Sequence, residues 1–215
     1  MSFLQQLKQQ AQVVQSQRGT EVRHLELNAH ATEAACGTIW HYLADLVAQL
    51  NVIQPDARPL SLDGKTPWPA LKLVDFRFDA RKKELRGREV THHIGVVWRI
   101  VPKVPTGERG RVAVNFPPEL ERVEKRLRAG HVTHERLEQR HLDTNKLQAY
   151  VFEHDFVARG GVTFTPEHDE GVLHWRLTGV IGLEVQTLVV RAQDVSTPRL
   201  DDLAKAIVGQ PSSWT

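Results

Sequence analysis

The stretch TEVRHLELNAHATEAACGTIWHYLADLVAQLN, residues 20–51, decides how the rest of this chain is read. Its apolar or small residues fall at Val22, Leu25, Ala29, Thr32, Cys36, Ile39, Leu43, Leu46 and Leu50, in steps of three and four. That spacing puts them on one stripe of a long helix and sustains a heptad seam along it. Such a seam has to be covered, either by the chain's own body or by a second copy.

Upstream, Leu4, Leu7, Ala11 and Val14 repeat the same steps in a Gln-rich setting. Gly19 then offers a stop and Thr20 an N-cap, which predicts a helical hairpin over residues 1–52. The alternative is one continuous helix with Gly19 in its interior, at a cost of about 1 kcal/mol relative to Ala.

Downstream, Pro55, Pro59, Asp63-Gly64, Pro67 and Pro69 break the periodicity and mark residues 52–69 as a linker. The period then changes to two. Strands are predicted at 70–78, 90–101 and 111–116, and again at 147–158, 161–165, 172–178 and 180–190, joined by hairpin-length connections. Between the two sets, Pro118 opens a helix with a stripe of Leu120, Val123 and Leu127, and a second polar helix is predicted over 133–141. Thr197 as N-cap, Pro198, the apolar spacing of Leu200, Leu203, Ala204, Ile207 and Val208, and then Gly209 and Pro211 define a C-terminal helix at 198–208. The expected fold class is α+β: an antiparallel sheet of about six or seven strands, an N-terminal helical hairpin, a helical insertion at 117–142, and the C-terminal helix packed on the sheet. The sheet domain spans 70–215 and forms one structural unit with the segment 1–52.

Composition sets limits. The chain has 215 residues, 40% of them hydrophobic, which suffices for one well-buried core. Its single cysteine, Cys36, makes no internal disulfide and fits a reducing, cytoplasmic setting. No apolar run reaches the roughly 18 to 20 residues of a membrane span, so a membrane partner is not expected. Net charge is only +2, but it is unevenly spread: residues 77–111 carry ten Lys and Arg against four Asp and Glu, whereas 147–215 carry five against nine.

The catalytic templates fail. The chain has no Gly-x-Ser-x-Gly elbow, no Walker loop, no Gly-x-Gly-x-x-Gly and no Cys-x-x-Cys, and nothing in it calls for a cofactor. On the predicted polar helix, His134, Glu138 and His141 share a face, but they supply only half of a carboxylate–histidine cage. His92, His154 and His174 lie on predicted strands and, with Tyr150, would line a pocket if those strands were neighbours. Tyr150, Phe152, His154 and Phe156 would form an apolar wall with one polar member. The basic segment holding Lys82, Lys83, Arg86 and Arg88 is expected at a hairpin tip, where it would present an anion patch with Phe76 and Trp98 nearby as stacking planes.

Three functions follow from these features. The first is a non-enzymatic interaction or assembly protein that forms homo-oligomers through the seam Val22, Leu25, Cys36, Ile39, Leu43, Leu46 and Leu50. The second is a small-molecule binder or hydrolase with a pocket between the sheet and the C-terminal helix. The third is a binder of nucleic acid or an acidic protein through the basic hairpin 81–88. Sheet proteins with a helical insertion and a C-terminal helix include the helix-grip ligand-binding domains, a likeness of fold order that assigns no ligand.

Overall fold

In the computed structural model, residues 3 to 53 form one helix, α1 (Phe3–Ile53), about 77 Å long at the standard rise. It opens on a capping box: the Ser2 N–H donates to Gln5 Oε1 at 3.0 Å, and the Gln5 N–H donates to Ser2 Oγ at 3.4 Å. The structure describes residues 2–105 and 107–214, without the side chains of residues 11, 13, 17 and 18, so the expected seam residue Ala11 lies outside what is described.

The helical hairpin expected at Gly19 is replaced by this continuous helix, for a local reason. Thr20 does not cap a new N-terminus; its hydroxyl donates back to the Ser16 carbonyl at 3.0 Å, inside an unbroken turn. The stripe formed by Leu4, Leu7 and Val14 also stays in phase with Val22 and Leu25, so both segments present the same helix face. The helix ends where Gln54 turns left-handed (φ 46°) and its N–H bonds to the Leu50 carbonyl, just before Pro55.

Eight antiparallel strands follow, interrupted by α2 (Pro117–Ala129). They are β1 (Leu71–Leu85), β2 (Arg88–Pro102), β3 (Gly110–Val114), β4 (His134–Arg140), β5 (Leu147–His154), β6 (Ala158–Glu167), β7 (Val172–Thr178) and β8 (Val185–Arg191). They form two sheets rather than one: five strands in the order β1-β2-β6-β7-β8, and three in the order β3-β5-β4. The expected helix over 133–141 is the edge strand β4, which pairs with β5 along its length, His134 opposite His154 and Leu137 opposite Val151. All seven of its residues are exposed, and an edge strand of that kind has no apolar alternation by which to be told from a polar helix.

One face of the five-stranded sheet is apolar. It carries Leu73 and Phe76 from β1, Ile94, Val96, Trp98 and Ile100 from β2, Ala158, Val162 and Phe164 from β6, and Leu173, Trp175 and Leu177 from β7, all buried. The C-terminal part of α1 lies across these strands and buries Thr32, Cys36, Ile39, Leu43 and Leu50. Beside it packs α3 (Thr197–Ile207), which starts one residue earlier than the sequence suggests, with Ser196 as N-cap; it buries Leu200, Leu203, Ala206 and Ile207. Tyr42 of α1 donates to Asp201 of α3 at 2.7 Å. The three-stranded sheet joins the same core through Val112, Val114 and Phe152, with Val123 and Leu127 of α2 packed on it. The expected linker is part of the body as well, because Leu60, Leu62 and Trp68 are buried in that core.

The N-terminal part of α1 leaves the body. Leu4, Leu7, Val14 and Val22 are 61%, 45%, 44% and 54% exposed, whereas Ile39 and Leu43 on the same stripe are 0% and 1% exposed. Leu43→Ala is therefore expected to cost about 2–5 kcal/mol in urea unfolding. Val22→Ala, in dilute solution, should stay within about 0.5 kcal/mol of wild type. An unchanged midpoint for Leu43→Ala would contradict the packing of α1 on the sheet.

Candidate functional site

The residues expected to form a histidine pocket do not meet. His154 belongs to the three-stranded sheet, whereas His92 and His174 lie in the five-stranded one. His92 occupies a bulge: Arg81 pairs with His93 and Lys82 with Thr91, so His92 is skipped, and it is exposed although strict alternation from Ile94 would put it on the buried face. His154 is buried, stacked on Trp68 at 5.2 Å and edge-on to Phe156 at 5.3 Å, and its Nδ1 lies 3.1 Å from the Asp155 carbonyl. Gly110 allows that ring its place, because a Cβ there would lie 2.3 Å from Cε1. Tyr150 lies beneath the Arg136 guanidinium, 3.9 Å from its ring centre. The wall of Tyr150, Phe152, His154 and Phe156 packs against the core, with Phe152 and His154 fully buried. On strand β4, His134 and Glu138 alternate with Leu137, while His141 lies beyond the strand, so the helical face that would have joined the three is absent. Among the described residues, no group of three His, Cys, Asp or Glu side chains is placed to hold a metal ion.

Cys36 is an inert core thiol. Burial, then the nearby Glu33 charge, push it up to about 12, against a hydrogen bond from Thr91. Glu33 itself is the centre of a clamp that the sequence did not reveal. It accepts from the Thr91 N–H at 2.9 Å, the Thr91 hydroxyl at 3.2 Å and the Nε2 of buried His168 at 2.7 Å. His168 sits in the β6–β7 connection, so the clamp ties α1 to two separate hairpins. A second clamp lies near the end of the helix. The Asn51 amide donates to the Phe76 carbonyl at 2.9 Å and accepts from the Phe76 N–H at 2.8 Å. This holds the β1 bulge between Val74 and Arg77, where Asp75 is left-handed (φ 56°).

The expected anion patch is partly neutralised. Lys82 pairs with Glu89 at 2.7 Å and Arg86 with Asp169 at 2.5 Å; Lys83 and Arg88 are exposed. Phe76 and Trp98 point to the opposite, buried face, stacked on each other at 5.6 Å. Positive charge gathers instead on the open face of the five-stranded sheet, around a cleft of about 320 Å³. A row of paired residues crosses it: Arg77 on β1, Val97 on β2, Gly161 on β6 and Thr178 on β7. Arg99 and Arg159, themselves paired, flank the row on one side; Arg176, opposite Thr163, flanks it on the other, and His131 also lines the cleft. Asp75 is the carboxylate of the lining, and it pairs with Arg99 at 3.1 Å. Among the described residues, Arg77, Arg159 and Arg176 have no carboxylate within ion-pair distance. Arg77 and Arg99 belong to the basic segment noted in the sequence; Arg159 and Arg176 were missed, although their alternation with Gly161, Thr163 and Thr178 carried the signal.

Compared with known proteins, the chain matches no family model, no curated protein sequence and no solved structure. Among the described residues, no helix is long and apolar enough to cross a membrane.

His154 and Asp63 contribute to the acid response. Burial holds the His154 imidazole below its ordinary value, so its contribution to stability is present above about pH 6.5 and is lost as pH falls through that range. Burial opposes the Asp63 carboxylate, but the Thr66 and Lys65 N–H groups and the Ser61 and Thr66 hydroxyls outweigh it and hold it at about 2. Its contribution is present above its ordinary value of 3.8 and disappears between there and about 2. Thermal melts from pH 8 to 2 should therefore show two successive losses, and Asp63→Asn should shrink the lower one, to which Asp79 and Asp202, held below the usual carboxylate range by hydrogen bonds with His93 and Ser213, also contribute. A flat profile between pH 7 and 5 would contradict the burial of the His154 ring.

Proposed function

We propose that this protein is a non-enzymatic assembly protein that self-associates through the projecting part of α1. The observation that carries the reading is the continuity of one stripe: it is covered by the chain's own sheet from Thr32 to Leu50 and uncovered at Leu4, Leu7, Val14 and Val22. Leu and Val at heptad spacing on an exposed helix form the kind of surface that pairs with a similar helix. The flanks favour a second copy as that partner. Between Phe3 and Gln17 the sequence carries one charged residue, Lys8, and seven glutamines, so two such helices meet with almost no like-charge repulsion. A helix this polar outside its stripe also gains most of its stability from packing rather than propensity.

Of the expected seam, Cys36, Ile39, Leu43 and Leu50 belong to the monomer's core, so they support the projecting helix and leave the pairing to residues before Leu25. Leu7→Asp combined with Val14→Asp tests this, since both side chains lie away from the core. Light scattering should give an oligomer for the wild type and a folded monomer for the double variant, with unchanged circular dichroism per residue in the sheet region. A wild type that stays monomeric at high concentration, or a variant that associates as strongly as wild type, would overturn the proposal.

A further inference from the structure

The open face of the five-stranded sheet is unlike an ordinary solvated sheet face. Arginines from four adjacent strands, Arg77, Arg99, Arg159 and Arg176, surround one short row whose floor is Gly161 and Thr178. The row from β1 to β7 crosses three strand spacings, about 14 Å, so these side chains converge on a common space instead of lining a long track. Four arginines against the single Asp75 leave a local balance of +3, and three of the four lack an ion-pair partner among the described residues. Like charges held this close repel one another, and the arrangement is relieved by an anion that several guanidinium groups can share.

The floor is built for close approach. Glycine inside a strand weakens it and commonly marks a site where a ligand comes near the backbone. Gly160 has a packing reason, because a Cβ there would lie 2.2 Å from the Trp98 ring. Gly161, which lines the cleft, is less constrained: a Cβ there would lie 3.3 Å from the Val96 carbonyl and from Val97 Cγ1. Thr178 is 8% exposed, and its hydroxyl, beneath the arginines, has no hydrogen-bond partner. The bulge that aims Asp75 and Arg77 at the cleft is held from behind by Asn51, and bulges of this kind re-aim side chains beside binding sites.

We propose that this cleft binds a small phosphate-bearing molecule with more than one negative charge, its oxyanions shared among Arg77, Arg159 and Arg176. A cleft of about 320 Å³ matches the lower end of small-ligand sites. Single-stranded nucleic acid is the weaker fit, because it relies on exposed stacking planes, and Phe76, Trp98, Phe164 and Trp175 of this sheet are buried, Trp98, which borders the cleft, included. Arginine suits the role better than lysine, since its planar fork engages two phosphate oxygens at once.

The test is calorimetric titration of the full chain with inorganic pyrophosphate at constant ionic strength. Wild type should bind saturably, one ligand per chain. The variant Arg77→Gln/Arg176→Gln, whose replaced side chains are exposed and make no ion pair with a described residue, should bind at least tenfold more weakly. Arg81→Gln, on the same sheet face but outside the cleft and paired with Asp79, should bind as wild type does. Undetectable binding by wild type, equal binding by wild type and the double variant, or an equal loss in Arg81→Gln would overturn the proposal. So would an oligonucleotide that binds more tightly than pyrophosphate with a steep salt dependence, which would assign the face to nucleic acid instead.

Discussion

Everything else in this structure depends on the apolar contact between one face of α1 and one face of the five-stranded sheet. On the helix Ile39 and Leu43 are 0% and 1% exposed, and on the apolar face of the sheet Val162, Phe164, Leu173 and Trp175 are fully buried. Each fully buried aliphatic side chain contributes roughly 1.5–3 kcal/mol relative to exposure. Polar clamps then fix where the helix lies. Glu33 binds Thr91 and His168, and Asn51 binds both backbone groups of Phe76, so the helix is pinned at two places along its covered length. Neither clamp is interchangeable with a simple apolar contact, because removing Glu33 or Asn51 leaves backbone or imidazole groups without partners inside the fold.

The same contact determines what is left exposed. Since the sheet commits its aromatic and branched residues to the helix side, period-two alternation places Arg77, Arg99, Arg159, Thr163 and Arg176 together on the other. The apolar stripe of α1 continues past the edge of the sheet and ends uncovered. The projecting stripe and the arginine cleft are thus two consequences of a single packing decision, one at an end of the helix and one on the back of the sheet. They share no side chain, so the proposed association of chains and the proposed occupation of the cleft would involve separate surfaces.

Much of this was legible in the sequence, and the exceptions have physical causes. The long helix was readable because its stripe holds phase over many turns, and β7 was readable at its observed bounds because Leu173, Trp175 and Leu177 alternate with polar residues. The continuity through Gly19 was not, since a helix interior and a C-cap both accept glycine and the deciding event is the Thr20 hydroxyl bonding to Ser16. Strand β4 was hidden because an edge strand exposed throughout carries no alternation. The histidine pocket failed because shared parity on separate strands says nothing about which sheet holds them, and the bulge at His92 reverses its face. The Glu33–His168 pair joins residues far apart in sequence, and only the folded topology brings them together. For the basic surface, the excess charge of residues 77–111 includes Arg77 and Arg99 of the cleft, but the cleft also draws on Arg159 and Arg176 from the acidic half of the chain.

The helix α1 has two environments, covered by its own sheet beyond Thr32 and exposed before Leu25, where the proposed second chain would pack. Amide hydrogen exchange followed as a function of protein concentration tests this most directly, because it reads local opening residue by residue. The account predicts strong protection of residues 32–50 at every concentration, and protection of residues 3–24 that rises as the chains associate. Concentration-independent protection along the whole helix, or residues 3–24 exchanging freely even at the highest concentration, would contradict it.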